Sequence, residues 1–186
     1  MKAKGKSKKA KRVFFLLTFN FLLFTSLGWA GMAVQACFSP AGRCSNHIAR
    51  ELAQAQREIF VALYAFTSDD LAWALSKARQ RGVNVQVVLD REFDSNNESS
   101  KGPFLQQQGI AVKRASGLSA AKRERGAGLM HQKFAVIDRR VVLTGSYNWT
   151  VSADNVNDEN LLIFRDAGPL AEDYRKEFLR LWQKNR

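Results

Sequence analysis

The sequence predicts an α/β fold, a mixed, mostly parallel sheet sandwiched between helices. Two observations carry that expectation. Short apolar runs of strand length alternate with longer amphipathic stretches, and the runs are apolar at successive positions, as in strands covered on both faces. A hydrophobic content of 46% and a charged content of 25% in 186 residues also suit a globular domain able to bury a core.

The elements follow in order. SNHIARELAQAQREI reads as a helix capped by Ser45 or Asn46, with Ile48, Leu52 and Ala55 on its apolar face. FVALYAF (Phe60–Phe66) is the first strand. SDDLAWALSKARQRG opens on a cap and two acids and closes at Gly82, the marks of a helix. VNVQVVLD (Val83–Asp90) is the next strand. Residues 91–102 read as a polar loop, PFLQQQG as a short helix closed by Gly109, and IAVKRA as a short strand. SGLSAAKRERGAG (Ser116–Gly128) reads as a mobile loop whose Lys122, Arg123 and Arg125 are candidates for holding a polyanionic substrate. GLMHQKFAVIDRRVVLTGSYNWT supplies two strands and ENLLIF a last one. LAEDYRKEFLRLWQK is an amphipathic helix with Leu170, Tyr174, Phe178, Leu181 and Trp182 on one side. No internal repeat is visible, and one domain is expected.

The net charge of +12 divides unevenly. Residues 1–12 carry seven Lys or Arg and no acid, residues 13–36 carry no charge, and the rest holds 22 basic against 17 acidic residues. A basic start, an apolar run and small residues ending at Ala36 form the order of a secretory signal. The expectation is cleavage after Ala36, leaving 37–186 as an exported domain, periplasmic or secreted. The alternative is a retained anchor with membrane association through residues 13–32, because the apolar run is close to the length that spans a bilayer. Cys37 and Cys44 enclose a short Pro- and Gly-containing loop, and a disulfide between them suits an exported domain. Two alternatives stay open: a lipoprotein processing site, to which Gln35 is poorly suited, and a zinc site, for which two Cys and distant His47 are too few ligands.

The chemistry gathers between His131 and Asn148. Residues two apart on a strand share a face, so His131 and Lys133 point together, as do Ser146 and Asn148. Gly145 lets backbone approach a ligand closely. An imidazole, an ammonium, a hydroxyl and a carboxamide are the groups a phosphate requires. Taken singly, each has a plainer reading: a satisfied histidine, a solvated lysine, a turn acid at Asp138 before Arg139 and Arg140. Asp90, Glu92 and Asp94 could imitate metal ligands, but they read better as a strand end entering a loop. His47 reads as structural or surface.

The spacing His131-x-Lys133-x4-Asp138-x6-Gly145-Ser146-x-Asn148 resembles the HKD motif of the phospholipase D superfamily. MHQKFAVID and TGSYNWT look like the small, single-motif members, namely secreted bacterial nucleases that resist EDTA and mitochondrial phospholipase D-like nucleases. FSPAG, YAFTS, RGVNVQVVLD and NDENLLIF extend the likeness over Cys37 to Trp182. The resemblance implies a phospholipase D-like fold with one HKD half-site per chain and a phosphodiesterase that needs no metal or other cofactor. It implies His131 as the nucleophile, Lys133 and Asn148 on the non-bridging oxygens, and Ser146 near the phosphate. Glu159 matches the family's acid behind the histidine, and Asp138 looks like an organiser of the motif. It also implies a homodimer in which a second His131 acts as general acid.

The motif leaves the substrate open. The basic domain, the basic loop and the aromatic rings of Tyr147 and Trp149, read as stacking surfaces, favour nucleic acid, with DNA ahead of RNA. Phospholipid such as cardiolipin is the alternative. A non-catalytic nucleic-acid binder of uptake or conjugation machinery is the third, although binding alone would not require His131.

Overall fold

The computed structural model describes residues 31–117 and 128–184. The apolar segment up to residue 30 and the basic residues Lys122, Arg123 and Arg125 lie outside the described residues. Seven strands form one sheet in the order β1-β7-β6-β5-β2-β3-β4. They are β1 (Ala33–Ser39), β2 (Glu58–Leu63), β3 (Asn84–Asp90), β4 (Ala111–Ala115), β5 (Lys133–Ile137), β6 (Val141–Gly145) and β7 (Glu159–Arg165). The helices are α1 (Cys44–Gln54), α2 (Asp69–Gln80), α3 (Arg91–Asn96), α4 (Gly102–Gln107), α5 (Val151–Asn155) and α6 (Gly168–Gln183).

The α/β class and the mixed sheet are as expected, and the share of parallel pairing is corrected. β2 runs parallel to β3, and β3 to β4, each pair joined through a helix. The other four pairings, β1–β7, β7–β6, β6–β5 and β5–β2, are antiparallel. The cause at β5–β6 is local. Arg140 N donates to Ile137 O at 3.1 Å across Asp138 and Arg139, both at positive φ (51° and 58°). A two-residue turn with both φ positive matches the twist of antiparallel strands, and aspartate is among the residues that tolerate it.

One apolar core lies under α1 and α2, centred on Ile48, Leu52, Leu71, Leu75, Val61 and Leu63. A second lies under α6, where Phe178 stacks on Phe60 with ring centroids 4.7 Å apart and Phe134 meets Tyr174 edge-on. Ser68 caps α2 by accepting from Leu71 N, and Gly82 beyond its end takes φ 92°. At α1 the expected cap is corrected. The helix starts at Cys44 after Arg43 in the left-handed region, and the Ser45 hydroxyl instead donates to Asp154 at 2.7 Å. Residues 91–96, expected as loop, form α3, because Asp90 caps it by accepting from Phe93 N at 3.0 Å.

β1 moves the start of the folded domain. It pairs with β7 from Ala33 opposite Arg165 to Ser39 opposite Glu159, so the fold begins at or before Ala33, upstream of the boundary expected at Cys37. A cut after Ala36 would halve this strand. It would also remove Gln35, whose side chain meets Arg165 and His47. Cys37 and Cys44 form a disulfide with Cα atoms 5.8 Å apart, closing the loop from the end of β1 into α1.

Asp138 staples the end of the sheet remote from His131. Its carboxylate accepts from the backbone N–H groups of Gln56, Arg57 and Glu58 at 2.8–3.0 Å. Burial alone would raise its pKa, but these three hydrogen bonds and the Arg57 charge outweigh it and hold the carboxyl below its usual value. Asp138→Ala is therefore expected to cost about 2 kcal/mol of stability, since stranded N–H groups cost ~1–3 kcal/mol each and water reaches some of them here. A depressed pKa makes this contribution fully present above the unfolded value near ~3.9 and lost as pH falls through the lower folded value. Thermal unfolding of both proteins should thus show a gap at neutral pH that closes in acid. An equal gap at all pH values would contradict the assignment.

Candidate active site

The strand ends opposite Asp138 carry the phosphate-type groups. β5 begins at Lys133, so His131 stands just outside it on an extension held by Tyr64 N donating to Gln132 O at 2.8 Å. Rather than lying on a buried strand, His131 is exposed. Lys133 is half-buried. Its Nζ lies 3.3 Å from His131 Nε2 and donates to His131 O at 3.2 Å. The same ammonium sits 5.3 Å from the centre of the Tyr64 ring.

Gly145 closes β6 at φ 144°, and a side chain there would run into the Asn160 carbonyl. That close approach lets Asn160 O accept from both Ser146 N and Tyr147 N. Ser146 Oγ accepts in turn from Asn160 N at 3.0 Å and Asn160 Nδ2 at 3.3 Å. Ser146 is thus tied to β7, and Asn160, which the sequence reading passed over, positions it. Asn148 follows with a buried side-chain oxygen that no donor among the described residues reaches. Glu159, the first residue of β7, accepts from Asn157 at 3.3 Å and favours the charged form of Lys133.

Of the residues expected together, the structure gathers His131, Lys133, Ser146, Asn148 and Glu159 at one end of the sheet. It places Asp138 at the other. Tyr147 and Trp149 are corrected as stacking surfaces, since both are 2% exposed. The Tyr147 hydroxyl donates to Asp154 at 2.7 Å, and Trp149 packs edge-on against Phe66. The ring beside the site is Tyr64, 4.6 Å from the His131 ring and 5.4 Å from Phe93. In the sequence it stood within the apolar run FVALYAF and opened YAFTS, one of the segments of the family likeness, with no role of its own. Asp90 and Asp94 are spoken for: Asp90 accepts from Phe93 N and Met130 N, and buried Asp94 meets Arg114 at 2.6 Å and Ser100. His47 contacts Gln35 and Arg50, away from this end.

Two hollows flank His131. One, of about 280 Å³, is lined by Tyr64, Phe93, Asn96 and Leu129 among others. The other, of about 350 Å³, lies between Leu129, Met130, Ser116, Arg180 and Lys184. A larger cleft, about 620 Å³, is at the Asp138 end and contains none of the groups gathered around His131.

Burial lowers the Lys133 pKa, and the nearby Glu159 carboxylate only partly offsets it. If the ammonium holds substrate oxygens, activity will fall on the alkaline side earlier than an ordinary lysine would dictate. In Lys133→Arg, which stays charged, that limb should move to higher pH even as the rate drops. Profiles of kcat/KM from pH 6 to 11 would check this, and coincident limbs would remove Lys133 from the titration.

Comparison with known proteins gives a consistent result. Residues 48–182 match the family model described as "Cardiolipin synthase, PLD-like domain". The chain is 38% identical over 154 residues to the mitochondrial cardiolipin hydrolase of Xenopus laevis, covering 81% of this chain and 68% of that protein. It spans only 54–62% of the length of four further mitochondrial cardiolipin hydrolases. Among solved structures it is similar to the phospholipase D family member Nuc from Salmonella typhimurium (26% identity, TM-score 0.73, 83% of this chain and 97% of that one). It is also similar to NucT from Helicobacter pylori (28% identity, TM-score 0.77, 82% and 96%).

Proposed function

Because this chain belongs to the phospholipase D superfamily, whose members are phosphodiesterases and other hydrolases, we propose that it hydrolyses nucleic acid, as a metal-independent endonuclease acting on DNA. The observation that carries this reading is an exposed imidazole 3.3 Å from a half-buried ammonium, at the end of the sheet where β6 leads into Ser146 and Asn148.

In the proposed reaction a ring nitrogen of His131 attacks phosphorus, forming a P–N bond as the P–O bond to the leaving strand breaks. Lys133 and Asn148 take the charge growing on the non-bridging oxygens. Ser146, already accepting two hydrogen bonds, has its own O–H left to donate toward the phosphate. Glu159 favours the charged form of Lys133, and in the assembled site holds the imidazole tautomer. The leaving oxygen needs a proton from the opposite side of phosphorus, and one chain has a single histidine at this end. His131 of the partner subunit supplies it in a homodimer, then takes a proton from the water that cleaves the P–N bond.

Phospholipid hydrolysis is the second reading, favoured by the name of the Xenopus relative and by the apolar run at residues 13–29. The register of β1 weighs against it. That run joins β1 at Ala33, at the Arg165 end, whereas Ser39 at the other end faces Glu159. A retained anchor would hold the catalytic groups about 20 Å along the strand away from its own bilayer. Among the described residues no helix is long and apolar enough to cross a membrane. Export to an oxidising compartment is supported by the disulfide, and the pairing of β1 from Ala33 favours any processing upstream of it.

The test is cleavage of labelled single- and double-stranded DNA in excess EDTA by residues 31–186, which keep β1 whole, beside cardiolipin in vesicles. DNA cleavage that survives EDTA supports the reading. Cleavage of cardiolipin alone would transfer the site to lipid.

A further inference from the structure

We propose that the hollow between Tyr64, Phe93 and Leu129 is a nucleobase subsite, seating a base of the strand whose phosphate is at His131; the proposal rests on the nuclease reading above. Its walls are aromatic and its rim is polar. The Tyr64 ring lies between His131 and Phe93, with centroids 4.6 and 5.4 Å away. Leu129 is 46% exposed, an apolar side chain two residues before the nucleophile on the extension that leads into β5. Asp90, Glu92, Asn96 and Asn97 complete the lining.

These chemistries select a base over the parts of a phospholipid. A base offers a π face to stack, worth a substantial part of the affinity per base in strand-binding proteins. Its edge offers amino donors to a carboxylate, and mixed donors and acceptors to carboxamides. A glycerol headgroup has no such face, and an acyl chain would have to desolvate Glu92 and two carboxamides. The hollow, about 280 Å³, is below the ~300–1,000 Å³ of sites for larger ligands, which suits one ring system rather than paired chains.

The subsite is held in register with the nucleophile by one side chain. Asp90, 1% exposed, accepts from Phe93 N at 3.0 Å with one oxygen and from Met130 N at 2.8 Å with the other. A single buried carboxylate thus fixes the wall bearing Phe93 against the residue preceding His131. Stacking at Phe93 would set where the neighbouring phosphate lies relative to the imidazole, the orientation on which displacement depends.

The test uses the full chain and an oligonucleotide cut at one phosphodiester, with either a base or an abasic residue beside it. The base-bearing strand should be cut about 10-fold faster, in line with base stacking on aromatic side chains. Phe93→Ala, and Phe93→Leu, which retains bulk without the π face, should bring that rate down to the abasic one and leave the abasic rate unchanged. Equal wild-type rates, or a loss shared by both substrates, would overturn the subsite. Cardiolipin hydrolysis lost in Phe93→Ala with DNA cleavage intact would give the hollow to lipid. If no oligonucleotide is cut, the nuclease reading fails by itself, and binding still decides the subsite. The uncleaving His131→Asn protein should quench 2-aminopurine in a bound strand only while Phe93 is present, and no quenching would overturn it.

Discussion

His131→Asn will lower phosphodiester cleavage by roughly 10³-fold or more while leaving the fold intact, the scale seen when a covalent nucleophile is removed. The asparagine keeps polarity and size but has no ring nitrogen to form a P–N bond. His131 is exposed and stands outside β5, so its loss removes no core contact and unfolding temperature should hardly change. The Lys133 ammonium loses one neighbour, His131 Nε2, but keeps the backbone carbonyl of residue 131. Quenched-flow in acid would destroy a phosphohistidine, so trapping belongs in alkali, where a P–N bond survives. A labelled adduct in the wild type and none in the variant is the expected pair of results. Cleavage that persists in the variant, or that EDTA abolishes in the wild type, would sink the covalent mechanism.

Phe38→Glu is expected to convert the proposed homodimer to a folded, nearly inactive monomer. Phe38 is 65% exposed at the catalytic end of β1, directly opposite Asn160, the residue that ties down Ser146. Val34 shares its face of the strand at 54% exposure, and α5, which packs against β1, contributes Val151 at 60%, with Val156 just beyond at 74%. Large apolar side chains gathered at one edge mark a surface that is covered in the assembled protein. A two-fold axis there would bury the patch against its own copy and bring two catalytic ends together. Two carboxylates facing each other across that axis would prevent association. Sedimentation velocity should show the mass halve, with activity falling at least about 100-fold, the low end for loss of a general acid. Val156→Glu should act in the same direction. A wild type that is monomeric and active would refute the shared site, and a variant that stays dimeric and active would refute the placing of Phe38 in the interface.

The legible parts of this protein were those with local causes. Strands β2, β3 and β7 were visible as apolar runs, and α2 and α6 as capped or amphipathic stretches, because their burial is written in consecutive residues. The chemical set was legible through spacing, since His131 and Lys133 sit two apart and Ser146 and Asn148 follow a glycine. β1 was not. AVQACFS carries small residues next to an uncharged apolar segment, and only pairing with β7, far along the chain, makes it a strand. α3 was hidden in a polar stretch because its stabiliser, Asp90, looked like a strand end. Tyr147 and Trp149 looked available for stacking because exposure is not a property of a residue type.

The sequence by itself determined the fold class and singled out a candidate phosphate-handling set between His131 and Asn148. Each follows from periodicity and residue chemistry within short windows. Only the tertiary structure decided which of those residues share a place. Asp138 and His131 belong to one motif, yet they cap opposite ends of β5, one stapling backbone N–H groups and the other open to solvent. Tyr64, just past β2, reaches His131, and Phe93 on α3 reaches Tyr64, because parallel pairing of β2 with β3 carries both to the same edge. Position along a strand is encoded locally, whereas proximity between strands depends on register, and register is settled by the burial of the whole sheet.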